Sequence, residues 1–289
     1  METPTPPTII LLGYTGYIGS LYFDFLEKKK INYLILSREI IENDLEKTLG
    51  FIKQNYNNLY LINAIGYTGK PNVDACESNK TECLYVNAIL PAKISDICQG
   101  LGITYCHISS GCIYNGYAKM FTEEDAPNFL FRQNNCSFYS GSKAMAEELL
   151  ETNKNSYIWR LRIPFNLDLN NPRNYLVKLI NYPKLVNVVN SITYIDDFVA
   201  ITTEMILRKS PFGIYNITND GAVSSKEIVD ILYSKNIIKD KKQWFEGYTA
   251  FEKTIKCPRS NCLLDNSKIK KLGFNLEHPY NILNKLPTE

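Results

Sequence analysis

Tyr139 and Lys143 stand four residues apart in a stretch with a helical pattern, and this spacing places two side chains on one face of a helix. A lysine cation beside a tyrosine favours the phenolate, which predicts a Tyr139 pKa lowered from its reference value near 10. Ser110 lies at the C-terminal end of a predicted strand, just after its last residue, where ligands of an open parallel sheet bind. Its hydroxyl can hydrogen-bond the carbonyl oxygen that Tyr139 protonates, so the three residues predict proton transfer to a carbonyl group.

A glycine-rich turn follows the first predicted strand and precedes a predicted helix. Glycine lets the backbone turn tightly and approach a pyrophosphate, and the helix N-terminus offers free N–H groups and a partial positive charge. In this position the turn predicts a dinucleotide site. The predicted contacts in the turn are Gly13, Tyr14, Thr15, Gly16, Tyr17, Ile18 and Gly19.

Ser37 and Arg38 follow the second predicted strand, where no carboxylate is available for the hydroxyls of an adenosine ribose. A hydroxyl followed by a guanidinium suits the 2′-phosphate of NADPH, although NADH is also possible. The alternative is that Arg38 is a solvated surface residue.

Short apolar runs alternate with helical patterns in the first half of the chain, which is typical of βαβ units. We expect an α/β protein in which residues 1–164 form an NADP-binding domain with a Rossmann-type, doubly wound parallel sheet. Residues 165–289 are expected to form a smaller substrate-binding region, part of which returns to the sheet. The predicted strands are 8–12, 33–36, 59–63, 104–109 and 157–163, and predicted helices include 91–100, 173–181, 196–208 and 225–235.

Charge and composition favour small-molecule partners. The 32 lysines and arginines nearly balance 30 aspartates and glutamates without a long run of one sign, so neither nucleic acid nor a membrane is expected as a partner. The apolar stretch 9–12 is too short for a signal-peptide core, which favours a cytoplasmic protein. The eight cysteines form no CxxC pair and only two histidines are present, so we expect reduced thiols and no metal site.

Four stretches resemble extended short-chain dehydrogenase/reductases, and within them the bifunctional 3,5-epimerase/4-reductases of UDP-L-rhamnose synthesis. The stretches are 63–78, 110–113, 171–174 and 258–261. The resemblance extends over nearly the whole chain, with departures at Ala75, where relatives often carry tryptophan, and at Ser110, where plant enzymes carry threonine. It implies conversion of UDP-4-dehydro-6-deoxy-D-glucose to UDP-β-L-rhamnose with consumption of NADPH.

The resemblance also implies residue roles. Ser110 and Tyr139 would serve reduction, and Cys112 and Lys178 would form the epimerase pair. The implied cofactor contacts outside the glycine turn are Ser37, Arg38, Asn63, Ala64, Gly66, Tyr139 and Lys143. The implied substrate contacts are Lys70, Asn72, Asn166, Asn174, Arg259 and Asn261.

The chemistry of a 4-keto sugar agrees with these roles. The ketone acidifies the hydrogens at C3 and C5, so a base and an acid on opposite faces can invert both carbons through enolates. A Cys112 thiolate favoured by nearby cations suits the base, and Lys178 suits the acid. The alternatives are a packing cysteine, a solvated helix lysine and, for Arg259, a surface salt bridge instead of a diphosphate contact.

Two other functions remain open. A reductase acting alone on dTDP-4-dehydrorhamnose would have no need of a base at Cys112. A non-catalytic regulator that binds NADP and a partner enzyme predicts a broken catalytic set, whereas Ser110, Tyr139 and Lys143 are all present. We expect a homodimer, with a separate 4,6-dehydratase supplying the substrate.

Overall fold

The computed structural model describes residues 6–288. Residues 1–5 of the first predicted region and residue 289 of the second therefore lie outside the described residues. None of the helices within 6–288 combines the length and the apolar character that a bilayer crossing requires.

Strands and helices alternate along the described chain. The strands are β1 (Thr8–Leu12), β2 (Tyr33–Leu36), β3 (Leu59–Asn63), β4 (Thr104–Ser110), β5 (Gly116–Phe121), β6 (Ser156–Leu161), β7 (Pro164–Phe165), β8 (Lys184–Leu185), β9 (Val189–Asn190), β10 (Thr193–Tyr194), β11 (Gly213–Asn216), β12 (Val223–Ser224), β13 (Gln243–Trp244) and β14 (Cys262–Leu264). The helices are α1 (Tyr17–Lys29), α2 (Arg38–Asn43), α3 (Leu45–Asn55), α4 (Asp74–Ser78), α5 (Lys80–Leu84), α6 (Leu90–Leu101), α7 (Phe138–Leu150), α8 (Tyr175–Asn181), α9 (Ile195–Leu207), α10 (Ser225–Ser234), α11 (Tyr248–Glu252), α12 (Ser267–Lys271) and α13 (Pro279–Leu283).

Six parallel strands form the central sheet in the order β11-β6-β4-β3-β1-β2. The direction of strand order reverses between β1 and β3, and open sheets of this kind bind ligands at such a switch point. The predicted doubly wound α/β class is confirmed. β11, from the second predicted region, pairs in parallel with β6.

Apolar side chains cover both faces of the sheet. Leu11 and Trp159 pack on one face with Tyr22 of α1 and Phe198 of α9. Apolar residues of α3 and α6 cover the other face. A further core around Phe165 lies in the second region. Burial on both faces explains why the inner strands are nearly continuous apolar runs in the sequence.

Several elements differ from their predicted bounds by one or two residues, and two of these differences have clear local reasons. β6 ends at Leu161 instead of residue 163, because Ile163 has a φ of +41°, which a β-branched residue rarely adopts and which ends extended pairing. α8 begins at Tyr175 instead of residue 173, because Asn174 caps it and accepts the Leu176 N–H at 3.1 Å.

A buried ion pair between Arg160 of β6 and Glu147 of α7 ties the helix to the sheet. Arg160 Nε donates to the two carboxylate oxygens at 3.0 and 3.1 Å, and Nη2 donates to one of them at 2.6 Å. Ser109 of β4 donates its hydroxyl to the same carboxylate. The pair therefore fixes α7 against β4 and β6.

Glu147→Ala should lower the free energy of unfolding by about 3–5 kcal/mol, because it leaves the Arg160 guanidinium buried and unpaired. Urea denaturation measures this change. The matched control is Glu148→Ala, at the next position of α7, where the carboxylate pairs with Arg132 on the surface. This control should lose less than about 1 kcal/mol. Equal losses in the two variants would contradict the prediction.

Candidate active site

Four predicted catalytic side chains meet where β4 ends and α7 begins. Ser110 is the last residue of β4, and its Oγ accepts the N–H of Cys112 at 3.2 Å within a short 3₁₀ turn. Tyr139 lies near enough to the Ser110 hydroxyl for that hydroxyl to act on the pKa of the phenol. Cys112 lies close enough to Tyr139 and Lys143 to interact electrostatically with both. The structure therefore brings together Ser110, Cys112, Tyr139 and Lys143.

The pKa of Tyr139 is raised well above its usual value, so the predicted lowering by Lys143 is wrong in this structure. Burial of the phenol is the largest cause, followed by nearby thiols, with Cys112 foremost, and a hydrogen bond from Ser110 opposes them. The Lys143 ammonium instead donates to the Ile108 carbonyl at 3.0 Å. Burial also lowers the pKa of Lys143 itself. Both groups are therefore shifted toward their neutral forms.

Cys112 is partly exposed, whereas six of the eight cysteines are buried. Burial of the thiol raises its pKa, while hydrogen bonds from Ser110 and Ser140 and the charges of Arg162 and Lys143 act in the opposite direction. The expected cations are present, but the net pKa is still raised. The predicted preference for the thiolate is thus wrong in this structure, because desolvation exceeds the cationic effect.

Lys178 lies on α8 and is half-buried. Burial, then the charge of Arg173, lowers its pKa. Arg173 Nη1 donates to Thr68 Oγ1 at 2.7 Å and to the Gly69 carbonyl at 2.8 Å, which ties α8 to the loop after β3. Among the described residues the Lys178 ammonium makes no hydrogen bond or ion pair, and no bond joins it to Cys112. The predicted acid and base therefore stand on separate elements.

The glycine turn joins β1 to α1 at the switch point of the sheet. Gly13 has a φ of +76°, and a Cβ there would lie 2.9 Å from the carbonyl carbon of Ala64. A Cβ at Gly19 would lie 2.1 Å from the Gly13 oxygen, which also accepts the Gly16 N–H at 2.9 Å. The first-turn N–H groups of α1 have no acceptor within the helix, so the turn can cradle an anion. The remaining predicted contacts in the turn are half-buried or exposed: Tyr14, Thr15, Tyr17 and Ile18.

Tyr17 connects the glycine turn to the second region. Its hydroxyl donates to Asn166 Oδ1 at 3.3 Å, and Asn174 Nδ2 donates to the same oxygen at 2.8 Å. Asn174 is fully buried, its Nδ2 also bonds the carbonyls of Asn166 and Asp168, and its Oδ1 caps α8. The Asn174 side chain is thus committed to neighbouring groups in this structure, and its substrate contact remains a prediction.

Two buried asparagines shape the loop after β3. Asn63 Oδ1 accepts the backbone N–H two residues further on at 3.1 Å. Asn87 exchanges two hydrogen bonds, both 2.8 Å long, with the backbone of Tyr67. Asn87 lies in a single π-helical turn, a feature that is frequent at functional sites. These bonds hold the segment that contains Ala64 and Gly66 beside the glycine turn.

Ser37 and Arg38 lie at the start of α2. Ser37 Oγ accepts the N–H of Ile40 at 3.4 Å. Arg38 is exposed and pairs with Glu42 at 2.5 Å. An exposed pair one helical turn apart contributes little to stability, so it does not prevent the guanidinium from binding a ligand. The cofactor roles of Ser37 and Arg38 remain predictions.

Arg259 forms a salt bridge, which the sequence analysis gave as the alternative to a diphosphate contact. Its Nη2 lies 2.8 Å from Asp74 Oδ2, and Cys257 Sγ donates to the other oxygen of Asp74 at 3.2 Å. Burial would raise the pKa of Asp74, but the bonds from Arg259 and Cys257 outweigh burial and hold the pKa below its usual value. The bridge joins the second region to the segment after β3.

The other predicted substrate residues have different surroundings. Lys70 is exposed, and Asn72 Oδ1 accepts the Asp74 N–H at 2.9 Å. Asn261 is buried, and its Oδ1 accepts a hydrogen bond from Asn190 at 3.1 Å. Asn261 lines a largely apolar cavity of about 500 Å³. The cavity is lined by Asn115, Gly116, Tyr117, Asn187, Val188, Val189, Tyr248 and Asn261.

Sequence reasoning missed four side chains that shape the site: Asn87, Ser140, Arg162 and Arg173. Arg162 is buried and donates to the Ser260 carbonyl at 2.7 Å. Two of them carry a signal in the sequence, because a polar residue in an apolar run needs hydrogen-bond partners once it is buried. Arg162 is a charged residue directly after an apolar strand, and Asn87 is a lone asparagine in an apolar helical run. Ser140 lies between Tyr139 and Lys143, and Arg173 lies in the stretch 171–174. In both motifs the predicted roles were assigned to neighbouring residues instead.

Known proteins resemble the chain over nearly its full length. The profile of the family described as RmlD substrate binding domain matches residues 7–284. An Arabidopsis thaliana protein named bifunctional dTDP-4-dehydrorhamnose 3,5-epimerase/dTDP-4-dehydrorhamnose reductase is 37% identical over 275 residues, covering 90% of this chain and 86% of that protein.

A longer relative from the same plant, RHM1, is named trifunctional UDP-glucose 4,6-dehydratase/UDP-4-keto-6-deoxy-D-glucose 3,5-epimerase/UDP-4-keto-L-rhamnose-reductase. It is 37% identical over 282 residues, and the match covers 93% of this chain but 40% of the relative. The chain therefore spans less than half of the length of this relative. The crystal structure of the L780 UDP-rhamnose synthase of Acanthamoeba polyphaga mimivirus has a TM-score of 0.85 at 24% identity, covering 97% of this chain and 99% of that one. This likeness shows a shared fold.

Asp74→Asn should reduce the free energy of unfolding at pH 7 by about 1 kcal/mol, because the bonds to Arg259 and Cys257 favour the charged carboxylate. The folded-state pKa of Asp74 lies below its unfolded value of 3.8, so this stabilisation is complete above that value and is lost as the pH falls through the folded pKa. The difference between variant and parent should therefore shrink below about pH 4.

Urea denaturation from pH 3 to pH 7 measures the Asp74 effect. Glu204→Gln is the control, because it removes an exposed ion pair with Arg208 and should change the free energy of unfolding by less than about 0.5 kcal/mol. A difference between Asp74→Asn and its parent that grows toward low pH would contradict the assignment.

Proposed function

The chain belongs to the RmlD substrate binding domain family, and from that premise we propose that it epimerises UDP-4-dehydro-6-deoxy-D-glucose at C3 and C5 and reduces C4 with NADPH. The product is UDP-β-L-rhamnose. One observation carries the proposal: a hydroxyl, a thiol and a phenol, from Ser110, Cys112 and Tyr139, converge where β4 ends. The first two residues come from the strand end and the third from α7, so all three can face one bound sugar.

The glycine turn fits a dinucleotide. The space that a Cβ would fill at Gly13 and Gly19 is needed by the backbone itself, and the turn points the free N–H groups of α1 at a pyrophosphate. Arg38 is exposed at the end of β2, where a guanidinium can bind a 2′-phosphate. We assign residues 6–164 to cofactor binding on this basis. When bound, NADPH supplies the hydride for C4.

For reduction, Ser110 donates a hydrogen bond to the C4 oxygen and Tyr139 delivers a proton to it. The raised pKa of Tyr139 keeps the phenol protonated, which is the form that a proton donor requires. Lys143 lies one turn along α7 from Tyr139, and its ammonium donates to the Ile108 carbonyl of β4. It therefore orients α7 against β4 and adds positive charge behind the phenol.

For epimerisation, Cys112 removes a proton from a carbon beside the ketone, and Lys178 returns one from the other face. Ser110 and Tyr139 stabilise the enolate oxygen during both inversions. The lowered pKa of Lys178 supports this role, because such an ammonium releases its proton more readily than a solvated lysine does. Reduction then removes the ketone, so epimerisation ends once C4 has been reduced.

Both regions supply the nucleotide contacts in this proposal. The cavity beside Asn261 has about 500 Å³ of space, and the rings of Tyr117 and Tyr248 give it an apolar lining that suits a nucleobase. The exposed Lys70 and the partly exposed Arg259 are the cations proposed for the diphosphate. Asn72 and Asn166 are proposed to contact the sugar.

The reaction needs a 4,6-dehydratase to supply its 4-keto-6-deoxy substrate. We propose that this partner and the present chain act in the cytoplasm, where reduced thiols such as Cys112 persist. A homodimer is the proposed assembly.

Reduction without epimerisation is the second candidate function, and the raised pKa of Cys112 favours it. A thiol that stays protonated cannot act as a base, whereas the proton donor Tyr139 would work unchanged. The same protein would then act on a ketone that another enzyme has already epimerised.

Gly19→Ala should weaken NADPH binding at least ten-fold, because its Cβ would lie 2.1 Å from the Gly13 oxygen and force the turn open. Fluorescence titration with NADPH measures the dissociation constant, and circular dichroism checks folding. Gly50→Ala is the matched control, since a Cβ at this helical position meets nothing within 4 Å. The control should bind NADPH like the parent and gain up to about 1 kcal/mol of stability. If Gly19→Ala binds NADPH like the parent, the glycine turn is not the dinucleotide site.

Turnover in deuterated water tests the two reactions together. With UDP-4-keto-6-deoxyglucose and NADPH, NMR of the product should find deuterium at both C3 and C5. Cys112→Ala should abolish this exchange while leaving reduction of a pre-epimerised ketone within a few-fold of the parent. Cys136→Ala, which changes the other partly exposed cysteine, should exchange normally. Reduction without exchange in the parent would establish the reductase alone, and loss of both activities in a folded Cys112→Ala would contradict separate roles.

A further inference from the structure

Arg162, the residue that follows β6, carries a buried charge without a carboxylate partner. The residue is 2% exposed. Nε and Nη2 donate to Asn190 Oδ1 at 3.2 and 2.5 Å, Nη1 donates to Ser260 Oγ at 3.0 Å, and Nη2 also donates to the Ser260 carbonyl at 2.7 Å. All of these acceptors are neutral, and within residues 6–288 the guanidinium forms no ion pair.

Arg160, two residues earlier, is equally buried and has the partner that Arg162 lacks. Its guanidinium pairs with the buried carboxylate of Glu147 at 2.6 Å. A buried cation that has no counter-ion loses its hydration without a compensating attraction, and buried charges in proteins are therefore usually paired. Hydrogen bonds to neutral acceptors satisfy the N–H groups of Arg162, but they do not cancel its charge. That charge remains available to an anion that binds nearby.

The acceptors of Arg162 place its charge directly behind the cavity beside Asn261. Ser260 is the preceding residue in the chain, and Asn190 Nδ2 donates to Asn261 Oδ1 at 3.1 Å. Asn190 Oδ1, the oxygen that Arg162 contacts, also accepts the Cys262 N–H at 2.9 Å. Through these two acceptors the guanidinium holds three consecutive residues, 260–262, and the middle one lines the cavity.

Arg259, the residue before this stretch, is a second cation at the same place. Its charge is already balanced by Asp74, which lies 2.8 Å away, so these three side chains together carry a net positive charge. Burial raises the pKa of Tyr117, whose ring lines the cavity, and the charge of Arg162 opposes this rise. The field of Arg162 therefore reaches the cavity wall.

We propose that Arg162 is a specificity-determining residue that selects an anionic occupant for the cavity beside Asn261, and that a nucleoside diphosphate supplies the counter-charge that no described residue provides. The inference rests on the proposed nucleotide role of this cavity and gives a reason why the diphosphate is preferred over the bare nucleoside. Arg162 acts through its field and through residues 260–262, so it is a positioning residue. Since salt screens a buried charge only weakly, the preference should persist at high ionic strength.

The test adds the missing counter-charge from within the protein. Asn190→Asp places a carboxylate where the amide oxygen already accepts two bonds from Arg162, with almost no change in size. The affinity for UDP should fall at least ten-fold, because the ligand no longer meets an uncompensated cation. The affinity for uridine, which carries no phosphate, should change less than three-fold. Calorimetry measures UDP binding to the full-length chain, and ligand-observed NMR measures the weaker binding of uridine.

The comparison of two ligands separates charge from packing. Any disturbance of Asn261 acts on the base, which UDP and uridine share, so the ratio of their affinities isolates the effect on the diphosphate. Ser260→Ala removes a neutral acceptor of Arg162 and should alter both affinities by the same factor.

Asn153→Asp is the matched control, because it makes the same change of charge at another buried asparagine, which precedes the other end of β6. The six residues of β6 separate the two sites by about 20 Å. This control should leave the ratio unchanged. If Asn190→Asp does not fold, Arg162→Gln replaces it: this variant removes the charge but keeps an amide donor, and it should weaken UDP alone.

Equal losses for UDP and uridine in Asn190→Asp would overturn the proposal, and so would an unchanged affinity for UDP. A parent that prefers UDP over uridine, with a ratio that Asn190→Asp does not move, would lose the Arg162 assignment alone. A parent that binds neither ligand would overturn both this assignment and the nucleotide role of the cavity. The binding assay needs no turnover, so a protein with the predicted shift but without epimerisation or reduction would keep the Arg162 assignment and lose the proposed function.

Discussion

The buried ion pair between Glu147 and Arg160 is the interaction on which the geometry of the site depends. Glu147 lies one helical turn beyond Lys143 on α7, and its two oxygens accept three bonds from a guanidinium fixed in the sheet. A bidentate pair sets both the distance and the rotation of a helix, whereas apolar packing leaves rotation less defined. Rotation of α7 would move Tyr139 away from Ser110, because these residues belong to different elements. The desolvation of two buried charges offsets much of their mutual attraction. We therefore interpret the pair as a constraint on the orientation of α7 and not as a main source of stability.

Burial at the same place has opposite effects on the two proposed reactions. Desolvation raises the pKa of Tyr139 and Cys112 and lowers that of Lys143, so each group is shifted toward its neutral form. A neutral phenol is what proton delivery to a reduced ketone requires. A neutral thiol is the wrong form for a base. Hydrogen-bond donors around the sulfur therefore matter more for epimerisation than for reduction.

The sequence predicted the parts of the fold that local pattern controls. The bounds of β1, β2 and β3 agree with prediction because each is a short apolar run between turn residues. The spacing of Tyr139 and Lys143 predicted that both lie on one helix. It did not predict their burial, which is the largest cause of their pKa shifts. Asn174 has the residue type of a ligand contact, yet the turn before α8 folds back and commits its amide to the backbone carbonyls of Asn166 and Asp168. Such hydrogen bonds depend on which partners the fold brings together, and the spacing of residues in the sequence does not predict them.

The segment after β3 links the two halves of the site. Arg173 holds it from the turn before α8, and Arg259 holds it through Asp74, which lies more than half the chain away from Arg259 in sequence. A diphosphate that binds Arg259 must compete with the Asp74 carboxylate, whose pKa shows that its charged form is stabilised. If substrate binds Arg259 as proposed, it would therefore release a carboxylate from its guanidinium partner and loosen one of the attachments of this segment. The loss of that attachment is part of the binding free energy, so the affinity for the nucleotide and the position of the segment are coupled.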